Sequence, residues 1–178
     1  MRLLLAVVFL LSVTLATPAL QLRSTSRQLC EHAKNGDICF HFVPQFVTFH
    51  GAENACLSLG GKLASIGNMF ENQIVAHKAF FLAHGEVRTN IFWIGAQYSD
   101  NLWTWVDGLP MSYHNFANPK DVVDPPYACL AIEATNSWNF NGLWQPTFCN
   151  SVAPFVCEVR KTESFPPPTS KPALKRLS

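Results

Sequence analysis

The residues with the most chemistry to offer lie in the second half of the chain. Residues 108–127 form a long polar segment with four prolines, Pro110, Pro119, Pro125 and Pro126. It carries Tyr113, Asn118, Asp121 and Asp124, and Glu133 follows on the next apolar run. A second amide-rich stretch, residues 136–141, holds Trp138 and Asn139. An exposed tyrosine or tryptophan ring stacks on a sugar ring or on a protein side chain. Asparagine offers hydroxyl groups both a donor and an acceptor. Carboxylates can ligate calcium, but calcium takes about six to eight oxygens, and scattered loop carboxylates fall short of that. The competing reading makes Phe116 and Phe140 buried anchors and the asparagines turn formers.

Catalysis needs converging groups, and the sequence offers none. The histidines, at 32, 41, 50, 77, 84 and 114, lack the short spacing of zinc sites. His77 and His84 on one helix would stand about 10 Å apart, too far to share a metal. No Gly-x-Ser-x-Gly, His-Glu-x-x-His or phosphate loop is present. The chain therefore reads as a non-enzyme, with no metal or other cofactor. A formal net charge of +1 gives no basic field for a nucleic acid backbone.

The elements that must position these residues can be read outward from the loop. With 178 residues, 48% hydrophobic and 12% aromatic, the chain has material for one domain plus tails. Residues 1–19 read as a secretory leader, with an apolar run from Leu3 to Leu11 and cleavage after Ala16 or Ala19. A retained membrane anchor is the competing reading, against which Ser12, Thr14, Thr17 and Pro18 interrupt the span. Both place the body in an oxidising compartment, where the six cysteines would pair. Residues 20–29 read as a flexible segment. Residues 159–178 read as a basic tail, with Pro166-Pro167-Pro168, Pro172 and Lys175-Arg176. That tail is read as a plain solvated chain or, alternatively, as a proline-rich ligand for a groove-binding domain.

Within residues 30–158 the spacing predicts two helices followed by strands. Phe49, Ala52, Ala55, Cys56 and Leu59 share one helical face, with Thr48 as cap and Gly60-Gly61 as stop. Asn68 and Glu71 resemble a capping box, and Phe70, Ile74, His77 and Phe81 mark the apolar face of a second helix ending before Gly85. Strands are expected around Cys39–Phe42, Ile91–Gly95, Leu102–Val106, Cys129–Ile132, Leu143-Trp144 and Phe155–Cys157.

Trp93-Ile94-Gly95 and Trp103-Thr104-Trp105-Val106-Asp107-Gly108, followed by Phe116, Cys129, Trp144, Cys149 and Phe155-Val156-Cys157-Glu158, resemble the C-type lectin-like domain in its long, six-cysteine form. Upstream, Ala52-Glu53, Cys56, the run from Gly60 to Ile66, and Glu71-Asn72 match its two-helix portion. The resemblance implies an α+β fold, with two helices packed on small antiparallel sheets and a long irregular loop. It also implies the disulfides Cys30–Cys39, Cys56–Cys157 and Cys129–Cys149, leaving no nucleophilic thiol. Trp93, Ile94 and Gly95 become core residues.

Sugar-binding members of the family ligate calcium through Glu-Pro-Asn or Gln-Pro-Asp in the long loop and Trp-Asn-Asp before the next cysteine. A further Glu often stands near the cysteine that corresponds to Cys129. Here Asn118-Pro119-Lys120, Tyr127 and Trp144-Gln145-Pro146 occupy those places, so most of the oxygen set is missing. The family pattern also sets a cis bond before the loop proline, here Pro119. The resemblance thus implies a secreted binding module for a glycan or an extracellular protein, without the usual calcium site and without a membrane span in the mature chain. Tyr113, Asn118, Asp121, Asp124, Glu133, Trp138 and Asn139 are its candidate ligand contacts. Two alternatives are a calcium-dependent lectin with a rearranged site around Asp121 and Asp124, and a structural or surface-coating protein.

Overall fold

The computed structural model describes residues 28–29, 38–125, 127–135 and 142–160. Trp138, Asn139 and Phe140, the cysteine at 30, the expected leader and residues 161–178 of the expected tail lie outside the described residues, whereas Val159 and Arg160, read as the start of that tail, are the last two residues of a strand. The chain order is β1 Gln28–Leu29, β2 Ile38–Val47, α1 Phe49–Ser58, β3 Gly61–Leu63, α2 Met69–Leu82, β4 Ile91–Ser99, β5 Leu102–Trp105, β6 Cys129–Glu133, β7 Trp144–Thr147 and β8 Ala153–Arg160. A π-helical turn, Ala83–Val87, extends α2, and a 3-10 turn, Pro119–Val122, lies in the long loop. The fold is α+β. Gln28 and Leu29, at the end of the amino-terminal segment, pair with His41 and Phe40 of β2.

The described strands join in one branched sheet, in the order β1-β2-β8-β4-β6-β7, with β3 paired to β8 and β5 to β4. β8 comes last in sequence and sits centrally, antiparallel to β2 and β3 and parallel to β4 at Trp93 and Phe155. Seven of its eight residues are buried, as expected for a strand covered on both faces.

The helices cover two parts of the core. α1 starts at Thr48, whose hydroxyl accepts a hydrogen bond from Gly51 N–H at 3.2 Å. It turns Phe49, Ala52 and Cys56 inward against Trp93, Ala131 and Phe155. Gly60, at φ 74°, takes the left-handed conformation that ends the helix. Leu59 was expected on the buried face but is exposed, because it caps the helix on the way into that reversal.

α2 is capped as its sequence suggests. Asn68 Oδ1 accepts from Glu71 N–H at 2.9 Å, and the Glu71 carboxylate accepts from Gly67 N–H and from the Asn68 amide. Its buried face is not the expected one. Val75, Ala76, Ala79 and Leu82 face the core with the side chains of Glu71 and Asn72, while Phe70, His77 and Phe81 point outward and Ile74 is half-buried. The helix passes close to Gly142, where an added Cβ would lie 2.8 Å from Ala76 Cβ. Small residues allow that approach and phenylalanine does not.

Cys56–Cys157 closes a separation of 101 residues and ties α1 to β8. Cys129–Cys149 closes 20 residues and ties β6 to the turn after β7. Loop-closure entropy credits these with about 4.7 and about 3.3 kcal/mol. Cys39 is also disulfide-bonded. At the foot of β8 the Lys62 ammonium lies 2.5 Å from Asp107 Oδ2 and 3.9 Å from Glu158 Oε1. The Ser65 hydroxyl bridges Asp107 and Glu158 at 3.1 and 3.0 Å. Burial pushes the Asp107 carboxyl up, but hydrogen bonds from Lys62 and the Leu109 N–H, the Lys62 charge and Ser65 together hold it below its ordinary value.

His41 stands opposite Cys157 and is buried, which lowers its pKa from the ordinary 6.5. The unfolded chain therefore takes up this proton first as pH falls. The stability is fully present above pH 6.5 and is lost as pH drops through the folded-state value. The melting temperature should fall between about pH 7 and about pH 5, and His41→Gln should flatten that slope. An unchanged slope in the variant would assign the loss to other groups.

Candidate functional site

The long loop leaves β5 at Val106 and returns at β6, and it is held in place from beneath by aromatic packing and buried amides. Trp144, the first residue of β7, is fully buried. Trp105, Tyr113 and Phe116 pack their rings against it at 5.5, 5.5 and 5.8 Å, each near perpendicular. Phe116 also meets Trp103 at 5.4 Å. The loop backbone joins in, with Trp144 N–H donating to Asn115 O at 2.7 Å and Ala117 N–H donating to Trp144 O at 2.8 Å.

The indole N–H of Trp144 donates to Asn72 Oδ1 at 2.7 Å. The Asn72 amide in turn donates to Gly142 O at 2.9 Å, and Asn115 donates to the same carbonyl at 2.7 Å. The Trp144 indole N–H, both polar atoms of the Asn72 side chain and the Gly142 carbonyl all have partners, as a low-dielectric interior requires. Gly142 is needed twice, for its φ of 83° and because any Cβ would meet Ala76 and Asn72.

The loop tip is pinned by donors from the sheet. Asn118 caps the 3-10 turn through a 3.1 Å bond from Lys120 N–H to its Oδ1. Trp103 Nε1–H donates to Asp121 O at 2.8 Å, and the Tyr98 hydroxyl donates to Val123 O at 3.1 Å. No cis peptide bond occurs among the described residues, so the bond before Pro119 is trans, unlike the family pattern. Val123 projects from the turn with 74% of its surface exposed.

The candidate contacts are therefore distributed as follows. Tyr113 is half-buried against Trp144, and burial raises its pKa. Asn118, Asp121 and Asp124 share the 3-10 turn and its exit, but the Asn118 oxygen is occupied by its own cap. Burial raises the carboxyl pKa of Asp121, and Asp124 is exposed. Glu133 ends β6, opposite Ile91, and burial raises its pKa as well. Among the described residues, no three His, Cys, Asp or Glu side chains converge as a metal-holding group. Gln145 and Pro146 sit in β7 opposite Ala131 and Leu130, and Pro146 is buried.

One pair escaped the sequence reading. Tyr127 and Phe148 pack with centroids 3.9 Å apart and ring planes inclined at 54°, and Phe148 is 61% exposed. They lie two residues before Cys129 and one before Cys149, so the disulfide between those cysteines brings them together. That pairing was the signal that could have found Phe148. Asn72 and Asn115 were also missed as the loop's buried supports.

A family model described as the lectin C-type domain matches residues 45–159. Dromaiocalcin-2 of Dromaius novaehollandiae is 29% identical over 130 residues, covering 68% of this chain and 88% of that protein. Galactose-specific lectin nattectin of Thalassophryne nattereri is 29% identical over 126 residues, covering 69% of this chain and 74% of that protein. Among solved structures, human lithostathine superimposes with a TM-score of 0.62 at 19% identity, covering 75% of this chain and 88% of that one.

Replacing Asn72 tests the support of the loop. Asn72→Ala leaves the Trp144 indole N–H without its acceptor, while the Gly142 carbonyl keeps the bond from Asn115. The expected loss is about 1–3 kcal/mol in denaturant unfolding, with altered tryptophan emission. A change below about 0.5 kcal/mol would remove Asn72 from that role.

Proposed function

The chain belongs to the C-type lectin domain family, and on that premise we propose a secreted binding module that holds a glycan or an extracellular protein on its long-loop surface without calcium. The observation that carries this reading is an exchange at one place. Where sugar-binding members put an acidic residue near the cysteine that corresponds to Cys129, this chain has Tyr127, packed against the exposed Phe148.

The two rings are inclined at 54° to each other, so the pair offers an angled aromatic ledge with Phe148 largely exposed. Such a surface gains free energy by covering the face of a sugar ring or an apolar side chain. The adjoining disulfide and the pinned turn hold the ledge rigid, so a ligand loses little entropy in ordering it. Two features count against a cation at this surface. The Asn118 oxygen is committed to its backbone cap, and Lys120 brings a positive charge to a ligand position. Paired cysteines fit an oxidising, extracellular setting, and among the described residues no helix is long and apolar enough to cross a membrane. A relative described as galactose-specific makes galactosides the first glycans to try.

An array of immobilised glycans and a panel of extracellular proteins, each probed in calcium and in chelator, tests the reading. Binding should survive the chelator, and the melting temperature should be the same in both. Tyr127→Ala and Phe148→Ala should each weaken binding at least about tenfold while leaving the fold intact. A melting temperature that rises by several degrees in calcium, and no longer does so in Asp121→Asn or Asp124→Asn, would restore a calcium-dependent lectin. Adsorption to ice or mineral with no glycan or protein ligand would place the chain in the surface-coating class.

A further inference from the structure

α2 is apolar on two sides: one is buried in the core, and the other is largely exposed, with Ile74 at the boundary packing partly against the core. On the outer side Phe70 is 68% exposed and Phe81 is 57% exposed, with half-buried Ile74 and exposed His77 between them. The His77 ring packs on Phe81 at 4.8 Å, so the stripe is continuous at that end. Met69, 64% exposed, widens it at the other. The spacing along it is four, three and four residues, the alternation of a coiled-coil seam.

We propose that this face pairs with the same face of a second copy of the chain, the two α2 helices antiparallel about a twofold axis. The spacing reads identically from either end, which an isologous antiparallel contact requires. Phe70 then faces the partner's Phe81, and Ile74 faces the partner's His77. In the same register Lys78 faces the partner's Gln73, so each ammonium meets an amide and no like charges are opposed.

The area sets the strength. A covered aromatic side chain removes roughly 150–250 Å² from water, and Phe70 and Phe81 have more than half of theirs to offer. With Met69, Ile74 and His77 the contact reaches on the order of 1,000 Å² over both copies, the lower edge of specific interfaces. The pairing is therefore a weak, concentration-dependent dimer. A lipid surface is a poorer occupant, because Lys78 is the one Lys or Arg on α2 and anionic headgroups attract clustered cations.

Sedimentation of the purified protein over about 1 to about 200 µM tests this, with dimer growing in across that range. Phe70→Glu should shift the midpoint at least tenfold toward monomer, and Phe81→Lys should do the same. Combining them should restore the dimer, because each new carboxylate faces a new ammonium across the axis. Both sites are exposed, so circular dichroism and melting should stay as in the parent. If either variant fails to fold, Phe70→Ser and Phe81→Ser supply the same loss. Three results would overturn the pairing: a parent chain monomeric throughout, a dimer indifferent to Phe70→Glu, or a double variant no better than the singles. A monomer that instead binds phosphatidylserine vesicles through Phe70 and Phe81 would overturn it in favour of a membrane surface.

Discussion

The burial of Trp144 is the contact on which the rest of the architecture converges. Its ring supports Tyr113 and Phe116 from the loop and Trp105 from the sheet. Its N–H reaches across to Asn72 of α2, and its backbone bonds both sides of the loop entry. An indole in this position supplies a large apolar face and a single donor, so one polar partner satisfies it completely. That partner also fixes the approach of the helix, which is why small side chains line α2 where it passes Gly142. Sheet, helix and loop are therefore coupled through one side chain, and each constrains the others.

Much of this was legible in the sequence because it rests on local rules. Thr48 and Asn68 announce helix starts through their side-chain oxygens, and both accept the expected backbone hydrogens. The strands follow from short runs of large apolar residues around Trp93, Trp103 and Cys129. The buried face of α2 was not legible. Its apolar residues lie on two sides, and the larger ones suggested the wrong side. What decides the matter is the closeness of Gly142, a contact 66 residues away from Ala76 in the chain, to which periodicity is blind. The candidate site divides in the same way. Composition pointed to the loop, but Tyr113 serves chiefly as an anchor, and the exposed ring at Phe148 becomes apparent only once the cysteines are joined.

The loop shows how a long irregular segment can be rigid without regular structure. Among the described residues it bridges a strand edge at two isolated points, Pro110 beside Thr104 and Phe116 beside Trp144. Much of its order comes instead from side-chain hydrogen bonds: Tyr98 and Trp103 donate from the sheet to loop carbonyls, and the loop's own Asn115 donates outward to the Gly142 carbonyl. A surface held in this way keeps its shape while its outward residues, such as Val123, are free to vary in chemistry.

The placement of β8 has a consequence for how the domain is made. The last strand in sequence lies between β2, β3 and β4, so those strands have no common neighbour until residues 153–160 arrive. A chain growing from its amino terminus cannot close the sheet piece by piece. It must hold open edges at β2 and β4 until residues 153–160 have been made, and contacts this distant in sequence form slowly. Premature termination before Ala153 would therefore yield no weakened version of the protein. It would yield unpaired strands with a lone Cys56 thiol, which is what quality-control chaperones and proteases act upon.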